Sequence, residues 1–407
     1  MESVKPLKQA AVRRKPNTLA ALVSALVLYG AANAYIGWHG ALFLRSLGLT
    51  GWEGLYWTLF VLAAAAYLLA MLPVVPYPAA RLLKVVGACY FGVFEYALLL
   101  LPVVDLVYGI ARLTGVTSDR LIPGLGGTVL ATLAALFARG LWNARSPVVR
   151  TYDLKVDKPA GPIRELRVVL VSDLHLGSIV GNRHLDRLLA FTDRLQPDLI
   201  LLAGDVIDDD IQPFVRNRMG ERMRRLRARY GVFAVLGNHE YYGGQIEAYV
   251  REMKAAGIPV LRDEAVLVEG AFYVVGRKDK TAETADPAGR KTIGELVAPL
   301  DKDKPILVMD HQPTGYAEAE AAGVDVLVSG HTHRGQMAPN HWITRRLFEL
   351  DWGYLRKGNM HAVVSSGFGT WGPPLRIMSR SEIVLLRIRF GPEGEKHAGT
   401  GPEADKG

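Results

Sequence analysis

The sequence predicts two unlike parts. One is an all-α region of transmembrane helices. The other is an α/β domain built on one large sheet or on two packed sheets. Three observations carry this reading. Residues 1–150 are dominated by Ala, Leu, Val and aromatics in long apolar runs, whereas from 151 short β-rich runs alternate with amphipathic stretches. The charge divides at the same place. In 1–150, 13 Lys and Arg face 5 Asp and Glu, a surplus of +8, while 151–407 carries 35 of each. A chain of 407 residues has room for several such units.

The apolar runs come first. Four segments, 18–38, 55–75, 85–110 and 123–143, are each long enough to cross a bilayer, which takes about 20 residues. A basic tail over 1–17 precedes them, with Lys5, Lys8, Arg13, Arg14 and Lys15. Arg81 and Lys84 lie in the second connection, and Arg145, Arg150, Lys155 and Lys158 follow the fourth segment. The excess of basic residues in these connections places the tail, the 76–84 loop and everything after 143 on the cytoplasmic side of a multi-pass cell-membrane protein. Glu95 falls near the middle of the third segment, where an acidic residue is costly. It is read as a group that helps helices associate, with a transport role as the alternative. Asp105 is expected at the membrane interface. The single cysteine, Cys89, excludes an intramolecular disulfide and a cysteine zinc site. A pI near 9.4 would fit a nucleic-acid partner, but a neutral 151–407 region argues against one.

The α/β domain is expected over 151–390. "LRVVLVSD" reads as a strand entering a loop, "HLDRLLAFTDRL" as a helix and "PDLILLAGD" as a second buried strand. "GVFAVLGNHE" is a third strand, and "QIEAYVREMKAAG" is a helix closed by glycine. "AVLVEGAFYVVG" reads as a hairpin, and "KPILVMDHQP" and "VDVLVSGHTH" as two further buried strands. "HAVVSSGFG" and "SEIVLLRIRF" complete the set. The remaining 391–407 is polar, rich in Gly and Pro, and reads as a disordered tail.

Five of the buried strands end in loops that hold metal-ligand residue types. They are Asp173 and His175 in "SDLHLG", Asp205 in "AGDVID", Asn238 and His239 in "GNHE", His311 in "DHQP", and His331 and His333 in "SGHTHRGQ". Strand ends along one edge are where open α/β sheets build sites. A lone Asp there is usually a cap or turn residue, and a lone His is usually structural. Five such loops in one domain point to a metal site. If the last strand ran on through the histidines, alternation would aim His331 and His333 at one spot.

These motifs closely resemble the calcineurin-like metallophosphoesterase superfamily over about 165–390, and "SSGFGTWGPPLRI" resembles a loop of its bacterial membrane-associated subgroup. The resemblance implies two packed mixed β-sheets flanked by helices, with a two-metal site at the strand ends. It implies one metal held by Asp173, His175 and His333, a second held by Asn238, His311 and His331, and Asp205 bridging them. Oxygen donors mixed with imidazoles suit Mn, Fe or Zn. Such a pair can bind a hydroxide that attacks phosphorus in line. His239 is implied to stabilise or protonate the leaving oxygen. Asp208 and Glu240 are read as loop supports, and Asp209 and Asp210 as residues ahead of the next helix. Asp310 should face away from the site. Arg334 is read either as a contact to a substrate phosphate or as a solvated residue.

One further stretch bears on substrate. "FVRNRMGERMRRLRARY" places Val215, Met219, Met223, Leu226 and Tyr230 at helical spacing among seven arginines: 216, 218, 222, 224, 225, 227 and 229. It reads as one helix, either with a solvated basic face or with that face on an anionic leaflet. The second reading favours a phospholipid or lipid-linked phosphate, with a phosphodiester as the bond cleaved. The leading expectation is thus a membrane-anchored, two-metal phosphoesterase. The alternatives are a non-catalytic phospholigand sensor and a regulatory domain of a membrane transporter.

Overall fold

The computed structural model describes residues 16–391. The basic tail expected over 1–17 and the disordered tail expected over 391–407 fall outside the described residues apart from their inner ends. Four long helices come first: α1 (Pro16–Ser46), α2 (Glu53–Leu69), α3 (Tyr77–Leu113) and α4 (Ser118–Arg145). α1, α3 and α4, and α2 together with the 3-10 turn before it (Thr50–Leu69), are each long and apolar enough to cross a membrane. Three of them run well past the apolar segments expected from sequence. Polar flanks such as "PAARLLK" and "NAR" are good helix formers and continue the turn. Pro102 and Pro123 lie inside α3 and α4.

The chain divides into two compact units. One comprises residues to Val75 together with Tyr90–Ala135, and the other comprises Pro76–Cys89 and everything from Leu136. In the first unit the Tyr29 hydroxyl donates to Ala64 O at 2.8 Å, and Arg45 pairs with Glu53 at 2.7 Å. Asp105 there accepts from the Tyr35 hydroxyl at 2.5 Å and lies 3.4 Å from His39.

Among the described residues the second unit holds eleven strands: β1 (Val148–Val156), β2 (Glu165–Val171), β3 (Leu199–Ala203), β4 (Val232–Val235), β5 (Glu264–Val268), β6 (Phe272–Gly276), β7 (Ile306–Met309), β8 (Val326–Ser329), β9 (Gly353–Lys357), β10 (Met360–Val364) and β11 (Glu382–Phe390). They form a five-stranded sheet in the order β1-β11-β2-β3-β4 and a six-stranded sheet in the order β5-β6-β7-β8-β10-β9. Both are mixed. β2, β3 and β4 run parallel and β11 antiparallel to β2, while β6, β7, β8 and β10 run parallel between antiparallel β5 and β9.

The side-chain period of a strand explains the layers. Leu166, Val168 and Leu170 of β2 pack with Leu199 and Leu201 of β3 against Phe272, Val274, Leu307 and Val328 of the other sheet. The intervening Val169 and Val171 face the opposite way, toward Leu185, Leu188 and Leu189 of α5 (Asn182–Leu195). Val275, Val308 and Leu327 do the same on the far side of the six-stranded sheet. Strands covered on both faces read as unbroken apolar runs, as "VVLV", "LILLA" and "ILVM" do. Each fully buried side chain of this kind contributes about 1.5–3 kcal/mol.

Two expectations need correction here. The domain does not begin at 151. β1 starts at Val148 and pairs with β11 along its whole length, from Val148↔Glu382 to Val156↔Phe390. The arginine-rich stretch is not one helix either. It forms α6 (Gln212–Arg216) and α7 (Met219–Met223), with Arg218 between them at φ 49°. The Asn217 side chain donates to Pro213 O at 2.8 Å, a local bond that competes with helix continuation. Val215 is exposed, so only Met219, Met223 and Leu226 of the stripe are core residues.

Candidate metal centre

β2, β3 and β4 run parallel in one sheet and β7 and β8 run parallel in the other, so within each sheet these strands end at one edge. The loops that follow deliver the candidate residues. Asp173 and His175 follow β2, Asp205 follows β3, Asn238 and His239 open α8 (Asn238–Tyr242) after β4, and His311 follows β7. His331 and His333 follow β8, which stops at Ser329. The two histidines therefore do not converge by strand alternation. Both sit in left-handed backbone, at φ 71° and 50°.

That conformation recurs through the site. Asp173, His175 and Asp205 also have positive φ, at 53°, 46° and 50°. Non-glycine residues rarely adopt this region, and each costs on the order of 1 kcal/mol or more. Such outliers cluster where the fold holds side chains for function. Glycines supply the remaining room. A side chain at Gly204 would collide with the His311 ring, and one at Gly330 would collide with Asp173.

The side chains converge in two sets with one residue between them. His175 Nε2 and His333 Nε2 are 3.0 Å apart, and His333 Nε2 lies 3.5 Å from Asp173 Oδ1. On the other side, Asn238 Oδ1 lies 3.2 Å from His311 Nε2 and 2.8 Å from His331 Nδ1. Asp205 Oδ2 stands 3.1 Å from His311 Nε2 and 3.9 Å from His175 Nε2. All but the half-buried His331 are buried. Asp173, His175 and His333, and likewise Asp205, His311 and His331, bring one ligand atom each within metal-binding range of the others.

The donor chemistry fits two cations. Burial holds His175 down at about 3 and His331 at about 4, and pushes His333 well below its ordinary range. The neutral imidazole is the form that coordinates a metal. His311 Nδ1 donates to Ala203 O at 2.8 Å, which leaves Nε2 facing Asp205 and Asn238. A backbone acceptor of this kind sets the tautomer of a ligating histidine. Burial disfavours a charge on His311, but Asp205 and then Asp173 outweigh it and hold its pKa well above normal. The buried carboxylates thus favour positive charge at this point, which a metal ion would supply.

The remaining polar residues hold the loops. Glu240 accepts from the backbone N–H groups of Gly237, Asp205 and Ile207 at 2.7, 3.1 and 3.0 Å, so it fastens the β3 loop to the β4 loop. Asp173 accepts from His331 N at 2.9 Å, and Asp205 accepts from His239 N at 2.9 Å. Asp310 turns away and meets Arg277 at 3.0 Å and Arg290 at 3.4 Å. Asp210 accepts from Gln212 N at 2.9 Å, ahead of α6.

Sequence reasoning missed three features. Asp209 Oδ1 lies 2.7 Å from His239 Nδ1, and Asp208 Oδ1 lies 3.8 Å from the same nitrogen. Burial lowers the His239 pKa, but the Asp209 hydrogen bond and the nearby carboxylates reverse this and raise it to about 9. Arg376 is fully buried and donates to Ser366 O, Gly367 O and Gly369 O at 2.7, 3.0 and 2.8 Å, bracing the loop beside Asp173. Trp371 and Tyr242, both exposed, place their rings 6.1 and 5.6 Å from His239. Arg334 is neither free in solvent nor aimed by a charge partner. Its guanidinium stacks 3.8 Å over the Trp352 ring.

The profile of the calcineurin-like phosphoesterase family matches residues 166–335. An uncharacterized metallophosphoesterase of Aquifex aeolicus is 31% identical over 252 residues, covering 59% of this chain and 94% of that one. A protein of Danio rerio, named as a transmembrane protein with metallophosphoesterase domain, is 30% identical over 275 residues, covering 64% of this chain and 62% of that one. An uncharacterized metallophosphoesterase of Helicobacter pylori is 28% identical over 319 residues, covering 76% and 82% of the two chains.

Proposed function

Because the chain belongs to the calcineurin-like metallophosphoesterases, a family that uses a dinuclear metal centre, we propose that it is a membrane-anchored, metal-dependent hydrolase of phosphate esters. The preferred substrate is a phosphodiester carried by a lipid or a lipid-linked group. The observation that carries the reading is the donor set itself. Seven side chains from five separate loops converge in two adjoining sets, and no position has lapsed to a non-ligand residue. A binding module would not need the complete set, which favours hydrolysis over sensing.

Asp173, His175 and His333 would hold one divalent ion, Asn238, His311 and His331 the other, with Asp205 shared. Manganese, iron or zinc suits these donors. Such ions, when bound, supply Lewis acidity toward a phosphate oxygen and a lowered pKa for water. The chain's own contribution is positional and acid–base. The left-handed loops hold the donors before substrate arrives, which avoids reorganisation during reaction. His239, protonated and oriented by Asp209, can donate its Nε2 proton to the departing oxygen. Trp371 and Tyr242 offer apolar faces to the leaving group. The cytoplasmic orientation follows from the basic connections, and Arg216, Arg218, Arg224, Arg225, Arg227 and Arg229 present an exposed basic surface for an anionic leaflet.

The full chain in detergent should hydrolyse bis-p-nitrophenyl phosphate. Chelation should abolish this, and added manganese should restore it. Asp205→Asn should show no activity with any metal. A correctly folded wild type that turns over neither the bis- nor the mono-ester with manganese, iron or zinc would establish the sensor reading instead.

A further inference from the structure

A second cavity lies in the unit that holds the metal centre. Its volume is about 650 Å³, and its lining includes Arg81, Arg145, Arg183 and Arg187 but no Asp or Glu. The four arginines come from three helices: Arg81 from the first turns of α3, Arg145 from the last residue of α4, and Arg183 and Arg187 from α5. Among the described residues none of them meets a carboxylate. Arg81 Nε donates to Ser178 O at 3.2 Å, and Arg187 lies 3.4 Å from His184 Nδ1. The nearest acidic residue on α5, Asp186, is taken by Arg222 at 2.6 Å. Four guanidinium groups around one cavity repel each other, so the arrangement calls for an anion. Their forked geometry suits a phosphate in particular.

Two features show what the anion belongs to. The cavity shares its wall with the ligand loops. Gly177 lines it two residues after His175, and a side chain there would meet Asp208 Cβ at 2.9 Å. Gly369 lines it too and donates to Asp173 O at 2.9 Å. In addition, α3 and α4 are both long and apolar enough to cross a membrane. Arg81 near the start of one and Arg145 at the end of the next then lie on the same side of the bilayer, at span ends where phospholipid headgroups lie.

We propose that this cavity is a headgroup subsite for an anionic phospholipid, in which Arg81, Arg145, Arg183 and Arg187 hold a lipid phosphate beside the metal centre. As a statement about substrate it rests on the phosphoesterase reading. As a statement about binding it stands apart from it.

The test is calorimetric titration of the full chain in detergent with short-chain lipids. Dioctanoyl phosphatidylglycerol should bind, and dioctanoyl phosphatidylcholine should not. The pairs Arg81→Gln/Arg145→Gln and Arg183→Gln/Arg187→Gln should each weaken phosphatidylglycerol binding about 30-fold, from two lost basic contacts. Their thermal midpoints should match wild type. If a glutamine pair does not fold, the corresponding lysine pair keeps the charge but loses the fork, and should bind phosphatidylglycerol more weakly than wild type while still preferring it to phosphatidylcholine. Glutamine pairs that bind as wild type does, or equal affinity for phosphatidylcholine, would overturn the proposal. Inorganic pyrophosphate that binds more tightly than phosphatidylglycerol and displaces it would reassign the cavity to a soluble polyphosphate. Failure of the wild type to hydrolyse bis-p-nitrophenyl phosphate would remove the hydrolase reading but leave the isotherm intact.

Discussion

His239 shows how one residue's chemistry depends on its neighbours. Burial alone would make it neutral, yet Asp209 at 2.7 Å and the surrounding carboxylates raise its pKa to about 9. His239→Ala should lower kcat for bis-p-nitrophenyl phosphate by about 10²–10⁴, the usual range for a general acid, while metal content stays unchanged. Asp209 is a positioning residue, and its role has a signature in pH. In the metal-free protein the folded pKa of His239 lies above its unfolded value of about 6.5. Its contribution to stability is therefore complete below about 6.5 and disappears as pH rises through about 9. In Asp209→Asn this loss should be smaller and should be complete at lower pH in thermal melts of chelator-treated protein. An unchanged melt profile would make Asp209 a bystander.

At the scale of elements, the parallel pairing of β1 with β11 extends the domain beyond the boundary at which the composition changes. Glu382, almost wholly buried, pairs with Arg150 at 2.9 Å and accepts from Trp352 Nε1 at 3.0 Å and Ser366 N at 2.7 Å. Arg150→Ala leaves a buried carboxylate without its cation, a change that typically costs about 3–5 kcal/mol for fully buried pairs and less here, since Arg150 is partly solvated. Chemical denaturation should show the loss, and Arg150→Lys should recover part of it. Leu201 of β3 is fully buried between the sheets, and Leu201→Ala should cost about 2–5 kcal/mol by the same measurement. The arginine-rich stretch makes a different prediction. The stretch buries Phe214, Met219 and Met223 in α6 and α7 and leaves six arginines exposed, all but Arg216 outside the two helices. Replacing Arg224, Arg225, Arg227 and Arg229 with glutamine should leave the melting temperature within a degree or two and reduce any preference for anionic over neutral bilayers. A preserved preference would make that surface merely solvated.

For the whole molecule, the candidate metal centre joins the two sheets. Loops from β2, β3 and β4 in one sheet and from β7 and β8 in the other donate to the same cluster. Metal bound there would stabilise the native state over any state in which the sheets separate. At about 100 times the dissociation constant the gain is about 2.7 kcal/mol. Chelation should therefore lower the thermal midpoint of the full chain, and readdition of manganese should restore it. In Asp205→Asn the metal-dependent increment should shrink sharply, because Asp205 faces both donor sets.

The amino-acid sequence by itself determined the division into an apolar helical region and an α/β domain, since apolar periodicity and run length are local properties. It also determined which residues could be ligands, because each ends an apolar run and carries a donor two residues or so beyond it. Asn238, His311 and the pair His331 and His333 were legible on those grounds. Only the tertiary structure decided how they meet. The left-handed backbone of five of the candidate ligands is held by surrounding contacts, in residue types (Asp and His) that tolerate it better than most non-glycine residues. Asp209 and Arg376 are ordinary charged residues until packing places one against His239 and the other beneath three carbonyls. The four-arginine cavity assembles side chains from residues 81 to 187, and charges that far apart in sequence become neighbours only through the fold. Local patterns encode which elements form and which donors they carry, whereas long-range packing sets conformation, charge state and partnership.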